Sequence, residues 1–257
     1  MKVQVQHTKS PLTFLLVLGL WLASLSPSRF AFARTSSSDL DLTLALTSTP
    51  NLRQHTRTLI INGDRAEPDR YNYFVSLQDK YEFGHGCGGS LIAADVVLTA
   101  AHCGDLTSAV ITRHDLGDLS DGTVIPFEES LPHPNYDSFT MDNDFMLLFL
   151  RDPAPQDAAF VKLNRDPNFP AAGDYVTVMG HGDTKSDDVI YEGSMELLEV
   201  ELNVRSNEEC GESYKVTDDV ITDTMLCAED IGEDSCQGDS GGPLVIKGND
   251  VHGSDDV

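Results

Sequence analysis

From residue 60 onward the chain is a succession of short β-prone runs, and few windows show apolar residues at helical spacing. The runs fall at residues 73–77, 90–92, 96–99, 110–112, 145–150, 175–179, 197–204 and 244–246, separated by Gly, Pro, Asp and Asn. Strands this short and this frequent, without helices between them, cannot build βαβ units and predict a sandwich or barrel. One helix is expected where Ser206-Asn207-Glu208-Glu209 forms a capping box. The Ser hydroxyl accepts from the Glu209 amide, and the Glu209 side chain returns to the Ser206 amide. The Pro-rich stretch 152–170 reads as a crossing between two halves, and no internal repeat is visible.

The chain before residue 60 has a different character. Lys2 and Lys9 precede an uncharged run over residues 12–25, and Ala31-Phe32-Ala33 supplies small residues at the spacing a signal peptidase reads. That run falls short of the roughly 20 residues a membrane span needs, so residues 1–33 are expected to be a signal peptide and not an anchor. Residues 34–59 are rich in Ser, Thr and Leu and suit a pro-segment. A secreted, extracellular product without membrane attachment is therefore expected, in a compartment that permits disulfides.

Charge narrows the partners. The 257 residues hold 17 Lys and Arg against 42 Asp and Glu, a formal net charge of −25, which excludes a nucleic-acid binder working through a basic face. Only two of the acids lie before residue 60. The remainder is strongly anionic, which first of all keeps a surface solvated and secondly can steer cationic peptides toward it. With 40% hydrophobic residues the composition is that of a folded protein.

Three segments carry chemistry when taken together: Leu98-Thr99-Ala100-Ala101-His102-Cys103, Asp142-Asn143-Asp144-Phe145-Met146, and Asp234-Ser235-Cys236-Gln237-Gly238-Asp239-Ser240-Gly241-Gly242-Pro243. A serine hydroxyl is a weak nucleophile, so acyl transfer needs a base, a carboxylate to hold that base's tautomer, and amides to receive the oxyanion. His102, Asp144 and Ser240 supply these side chains. The Gly-rich run lets the amides of Gly238 and Ser240 converge on one point. Gly238-Asp239-Ser240-Gly241-Gly242 also satisfies the nucleophile elbow of lipases and esterases, but that fold places its acid and His after the nucleophile. Here the credible His and Asp precede it, the order of the chymotrypsin group.

On these residues the chain resembles the trypsin-like serine proteases of the chymotrypsin family. The resemblance covers about residues 60–246 and includes Ile60-Ile61-Asn62-Gly63, Cys87-Gly88-Gly89-Ser90-Leu91-Ile92 and His133-Pro134-Asn135-Tyr136. It implies an all-β fold of two antiparallel six-stranded barrels of the chymotrypsin type, the first over about residues 60–155 and the second over about 165–257. It also implies His102 as general base, Asp144 as its orienting acid, Ser240 as nucleophile, and Gly238 and Ser240 as the oxyanion hole. Asp234, six residues before Ser240, resembles the base of a pocket that selects Lys or Arg side chains by charge. Ile60 would be the new amino terminus of a cleaved zymogen, buried against Asp239, although Leu59 precedes it and Arg57 lies two positions earlier.

By the same resemblance Cys87 pairs with Cys103 and Cys210 with Cys227. Cys236 is expected to be unpaired, because the family's partner lies downstream of the nucleophile and no Cys follows here. The second barrel is likewise expected to lack its C-terminal strands and helix. His181, in Gly180-His181-Gly182, stands where the family commonly has Trp, and His85 resembles a zymogen-stabilising His. Asp115, Asp118 and Asp121 with Glu128 and Glu129 read as solvated acids before a Ca²⁺ loop, so neither metal nor cofactor is expected. The leading expectation is a monomeric, secreted serine endopeptidase acting after Lys or Arg on protein or peptide substrates, and open to protease inhibitors. The alternative is a catalytically impaired protease-like protein serving as a secreted binding scaffold.

Overall fold

The protein is described by a computed structural model covering residues 63–79, 84–183, 193–215, 220–230 and 238–246, with the backbone of residues 2–5. In chain order the strands are β1 (Lys2–Val5), β2 (Asp64–Arg65), β3 (Phe74–Asp79), β4 (His85–Ala93), β5 (Val96–Thr99), β6 (Leu106–Ile111), β7 (Thr123–Pro132), β8 (Met146–Leu150), β9 (Tyr175–Gly180) and β10 (Leu198–Arg205). The helix α1 (Asn207–Tyr214) then precedes β11 (Met225–Glu229) and β12 (Leu244–Val245). Among the described residues no helix is long and apolar enough to cross a membrane.

The first half closes on itself as an antiparallel barrel in the order β3-β4-β5-β8-β7-β6. Closure leaves no exposed sheet edge, and it requires strands to bend. The bends are supplied by irregular register at Leu77/Gln78, Gln78/Asp79, Leu91/Ala93 and Phe127/Glu129. Alternation along β8 sends Met146, Leu148 and Leu150 inward, where they meet Val75, Leu77, Leu91, Val97 and Ile111. The second half is a sheet in the order β1-β11-β10-β9-β12, with β2 also pairing to β10. β1 lies parallel to β11, whereas β10 is antiparallel to β9 and β11. Leu198, Val200, Leu202 and Val204 alternate along β10 and bury against Val176, Val178, Ala228 and Leu244. This is the all-β chymotrypsin-type fold, with the first barrel closed and the second open.

The expected strands fall in these elements, and the expected helix starts at its capping box. Ser206 Oγ accepts from the Glu209 amide at 3.2 Å, and Glu209 Oε2 accepts from the Ser206 amide at 3.3 Å. β7 and β11 go beyond the sequence reading. In β7 Ile125 is the one buried residue, and Pro126 and Pro132 interrupt it, so it carries neither alternation nor an uninterrupted donor row. Both expected disulfides form, Cys87–Cys103 across 16 residues and Cys210–Cys227 across 17. Leu77 is fully buried in the closed barrel, so Leu77→Ala is expected to lower unfolding free energy by about 2–5 kcal/mol, read as a shift in the urea midpoint at constant slope.

Candidate active site

His102 sits in a short 3-10 turn, Ala101–Cys103, directly after β5 and tied to β4 by the Cys87–Cys103 disulfide. Asp144 comes two residues before β8, the strand that pairs with β5. That pairing sets the two side by side. Asp144 Oδ1 accepts from the His102 amide at 2.9 Å, and Oδ2 lies 2.7 Å from His102 Nδ1. A carboxylate can only accept, so the ring proton is on Nδ1 and the Nε2 lone pair is left to take a proton. Asp144 is buried, whereas the His102 side chain is 33% exposed.

Ser240 arrives from the second half, on a turn closed by the Gly242 amide donating to the Asp239 carbonyl at 2.9 Å. The Gly88 amide in β4 donates to the Ser240 carbonyl at 2.8 Å, and that carbonyl lies 3.7 Å from Cys103 Sγ beside His102. Gly241 has φ 77°, and a Cβ there would come within 2.2 Å of Thr99 Oγ1 and 2.8 Å of the Gly88 carbonyl. Only glycine fits between the turn and the barrel. The structure therefore brings His102, Asp144 and the Ser240 turn together. No hydrogen bond joins the Ser240 hydroxyl to the His102 ring among the described residues, a contact that commonly tightens only when substrate is bound.

The carbonyl flanking the turn is held by a second histidine. His85 Nε2 lies 2.8 Å from the Gly238 carbonyl and its Nδ1 is 2.9 Å from Ser76 Oγ. Gly238 itself has φ 98°. Buried Asp239 turns the other way, and its Oδ1 accepts from the Gly182 amide at 2.7 Å. These supports, Gly88, Thr99, Ser76 and Gly182, were not read from the sequence. The Gly88-Gly89 pair inside a strand was the available signal, since it marks a close backbone approach.

His181 packs edge-on against His85, with ring centroids 5.2 Å apart, and against Phe74 at 5.5 Å. It is fully buried; Nδ1 donates to the Ser194 carbonyl at 3.2 Å, and Nε2 has no hydrogen-bond partner among the described residues. Burial, followed by repulsion from His85, pushes His181 down to about 3. Burial also pushes His85 down to about 4, partly opposed by the bond to the Gly238 carbonyl.

Asp234, Cys236 and Ile60 lie outside the described residues. The acidic loop is largely occupied with its own backbone: Asp121 accepts from the His114 and Asp115 amides, Asp115 from Gly117, and Asp118 from Ser120. The Arg113 guanidinium binds the carbonyls of Asp115 and Leu116 from beneath. Among the described residues the cluster with metal-ligating side chains is Cys87, His102 and Cys103, two of which are joined in a disulfide.

A chymotrypsin-type fold that sets a carboxylate-bound histidine beside a glycine-walled serine turn defines a serine hydrolase class of site. Comparison with known proteins places it further. The family model described as Trypsin matches residues 60–255. A trypsin of Xenopus laevis is 36% identical over 194 residues, covering 74% of this chain and 76% of that protein. An anionic trypsin of Canis lupus familiaris is 35% identical over 193 residues, covering 74% of this chain and 75% of that protein. The chain belongs to the trypsin family of serine proteases.

Two outcomes follow from this geometry. The fold holds His85 and His181 neutral, so the unfolded chain takes up protons below pH 6.5 that the folded chain refuses until about pH 4 and pH 3. Their contribution is complete above pH 6.5 and is lost as pH falls toward 4, amounting to several kcal/mol. Urea midpoints measured from pH 7 to pH 4 are expected to fall less steeply in His181→Phe, which keeps the ring but cannot titrate. Gly241→Ala, strained in both φ and space, is expected to cost more than about 2 kcal/mol of stability in the same assay at pH 7.

Proposed function

We propose that this trypsin-family chain is a secreted serine endopeptidase that cleaves peptide bonds after Lys or Arg. The observation that carries the reading is the double grip of Asp144 on His102, through the main-chain amide and Nδ1, which points the unprotonated Nε2 away from the carboxylate. His102 removes the Ser240 proton as general base, Ser240 attacks the scissile carbonyl, and the oxyanion settles on the Gly238 and Ser240 amides. The imidazolium formed on His102 is stabilised by Asp144 and then protonates the leaving amine, giving an acyl-enzyme that water hydrolyses by the same proton route. Asp234, by its register with Ser240, selects the cationic side chain.

Two disulfides suit an extracellular protein, and trypsin-like proteases act on protein substrates. Cleavage before Ile60 is taken as the activating event, with the new terminus directed at Asp239. Because Leu59 precedes Ile60, an enzyme specific for Lys or Arg does not generate that terminus directly.

The test uses protein cleaved at the Leu59–Ile60 bond. It is expected to hydrolyse Arg and Lys esters and to take a phosphonate label on Ser240. Ser240→Ala should lower kcat by several orders of magnitude, and Asp234→Ser should abolish the preference for basic residues. Correctly cleaved protein that neither hydrolyses these esters nor accepts the label would overturn the reading in favour of a secreted binding scaffold.

A further inference from the structure

Asp142, two residues before Asp144, sits between two non-glycine residues in the left-handed region, Met141 with φ 60° and Asn143 with φ 53°. Such backbone persists where its surroundings over-determine it, and most of all where a site needs one orientation. Here the constraint comes from the other half of the molecule. The Thr222 hydroxyl donates to Asp142 Oδ1 at 2.7 Å, the Thr224 hydroxyl donates to the same oxygen, and the two hydroxyls lie 3.0 Å apart. The Asn143 amide donates to Thr224 Oγ1 at 3.4 Å, and Asn143 Nδ2 to the Asn135 carbonyl at 3.2 Å.

The far side of this contact is itself fixed. Asn207, at the start of α1, donates through Nδ2 to the carbonyls of Thr222 and Met225. The Cys210–Cys227 disulfide ties the same helix to β11. On the near side the loop closes where the Asp137 amide donates to the Asp142 carbonyl at 3.0 Å.

We propose that Asp142, Thr222 and Thr224 are positioning residues, a clamp between the two halves that holds the strained turn at residues 141–143 and so aims the Asp144 carboxylate at His102. None of the three reaches the reacting atoms; they act through Asp144. The kinetic arm of the test rests on the proteolytic reading, whereas the spectroscopic arm does not.

The experiment compares wild type, Thr222→Val/Thr224→Val and Thr222→Ser/Thr224→Ser in the cleaved protein, by steady-state kinetics on an Arg ester and by proton NMR of the downfield His102 Nδ1 resonance. The valines keep the shape of threonine and remove only the hydroxyls. The valine variant is expected to lose about tenfold to a hundredfold in kcat with KM nearly unchanged, and to shift or broaden the Nδ1 resonance. The serine variant should restore both. An unaltered resonance in the valine variant overturns the clamp, whatever the rate, and so does failure of serine to restore it. If the double valine variant does not fold, Thr224→Val is read by the same criteria. A wild-type protein that shows the resonance yet hydrolyses no ester refutes the proteolytic reading, while the comparison of resonances still decides the clamp.

Discussion

The hydrogen bond from the Gly88 amide to the Ser240 carbonyl, 2.8 Å long, fastens the two halves of the molecule where Ser240 emerges. Histidine and acid are both held by the first barrel through the pairing of β5 with β8, but the serine belongs to the second sheet. A relative slip of one ångström between the halves would spoil the alignment. The interface prevents this by being too close for side chains. Gly241 lies against Thr99 and Ala100, and a Cβ on Gly88 would come within 2.7 Å of the Gly242 Cα. Backbone packed on backbone has little freedom to re-pack, so the turn has one seat on the barrel. The Thr222–Asp142–Thr224 contacts add a second fastening, two residues from Asp144 in the chain.

Much of this was legible because the sequence signals are local. β8 and β10 alternate apolar and polar residues, the capping box sets the start of α1, and the triad candidates sit in motifs that state their own chain order. β7 escaped because a strand that buries a single residue and contains two prolines has no period to detect. β11 escaped for another reason: it is five residues long, and its burial is decided by its neighbour β10. The supporting contacts of the site escaped because they join residues far apart in the chain. His85 meets Gly238 across 153 positions and Gly182 meets Asp239 across 57. No local pattern encodes such a contact; the fold creates it.

The same distinction separates the histidines. His102 is the one described histidine that faces a carboxylate within ion-pair distance, and its side chain is one-third open to solvent. His181 is buried and His85 partly so; they face each other and bind carbonyl oxygens, and among the described residues no carboxylate lies within ion-pair distance of either ring. One fold thereby keeps two imidazoles neutral and structural, and sets a third against a carboxylate. The neutrality has a structural use. Because His85 must donate from Nε2 to the Gly238 carbonyl, its Nδ1 is an acceptor, and the Ser76 hydroxyl at 2.9 Å completes it as a donor.

His181 extends that logic to the Gly180-His181-Gly182 segment. A side chain at either flanking glycine would collide with the Asp239 carboxylate, at 2.1 Å from Gly180 and 2.3 Å from Gly182. The segment must therefore present bare backbone to Asp239 and send its one side chain into the core. That side chain reaches Phe74 and His85, and through His85 the Gly238 carbonyl. The backbone of this segment thus holds Asp239 while its ring packs on the residue that holds Gly238. A change of ring at residue 181 reaches the Gly238 carbonyl through His85, whereas the Gly182 bond to Asp239 is made by main chain and does not use the ring.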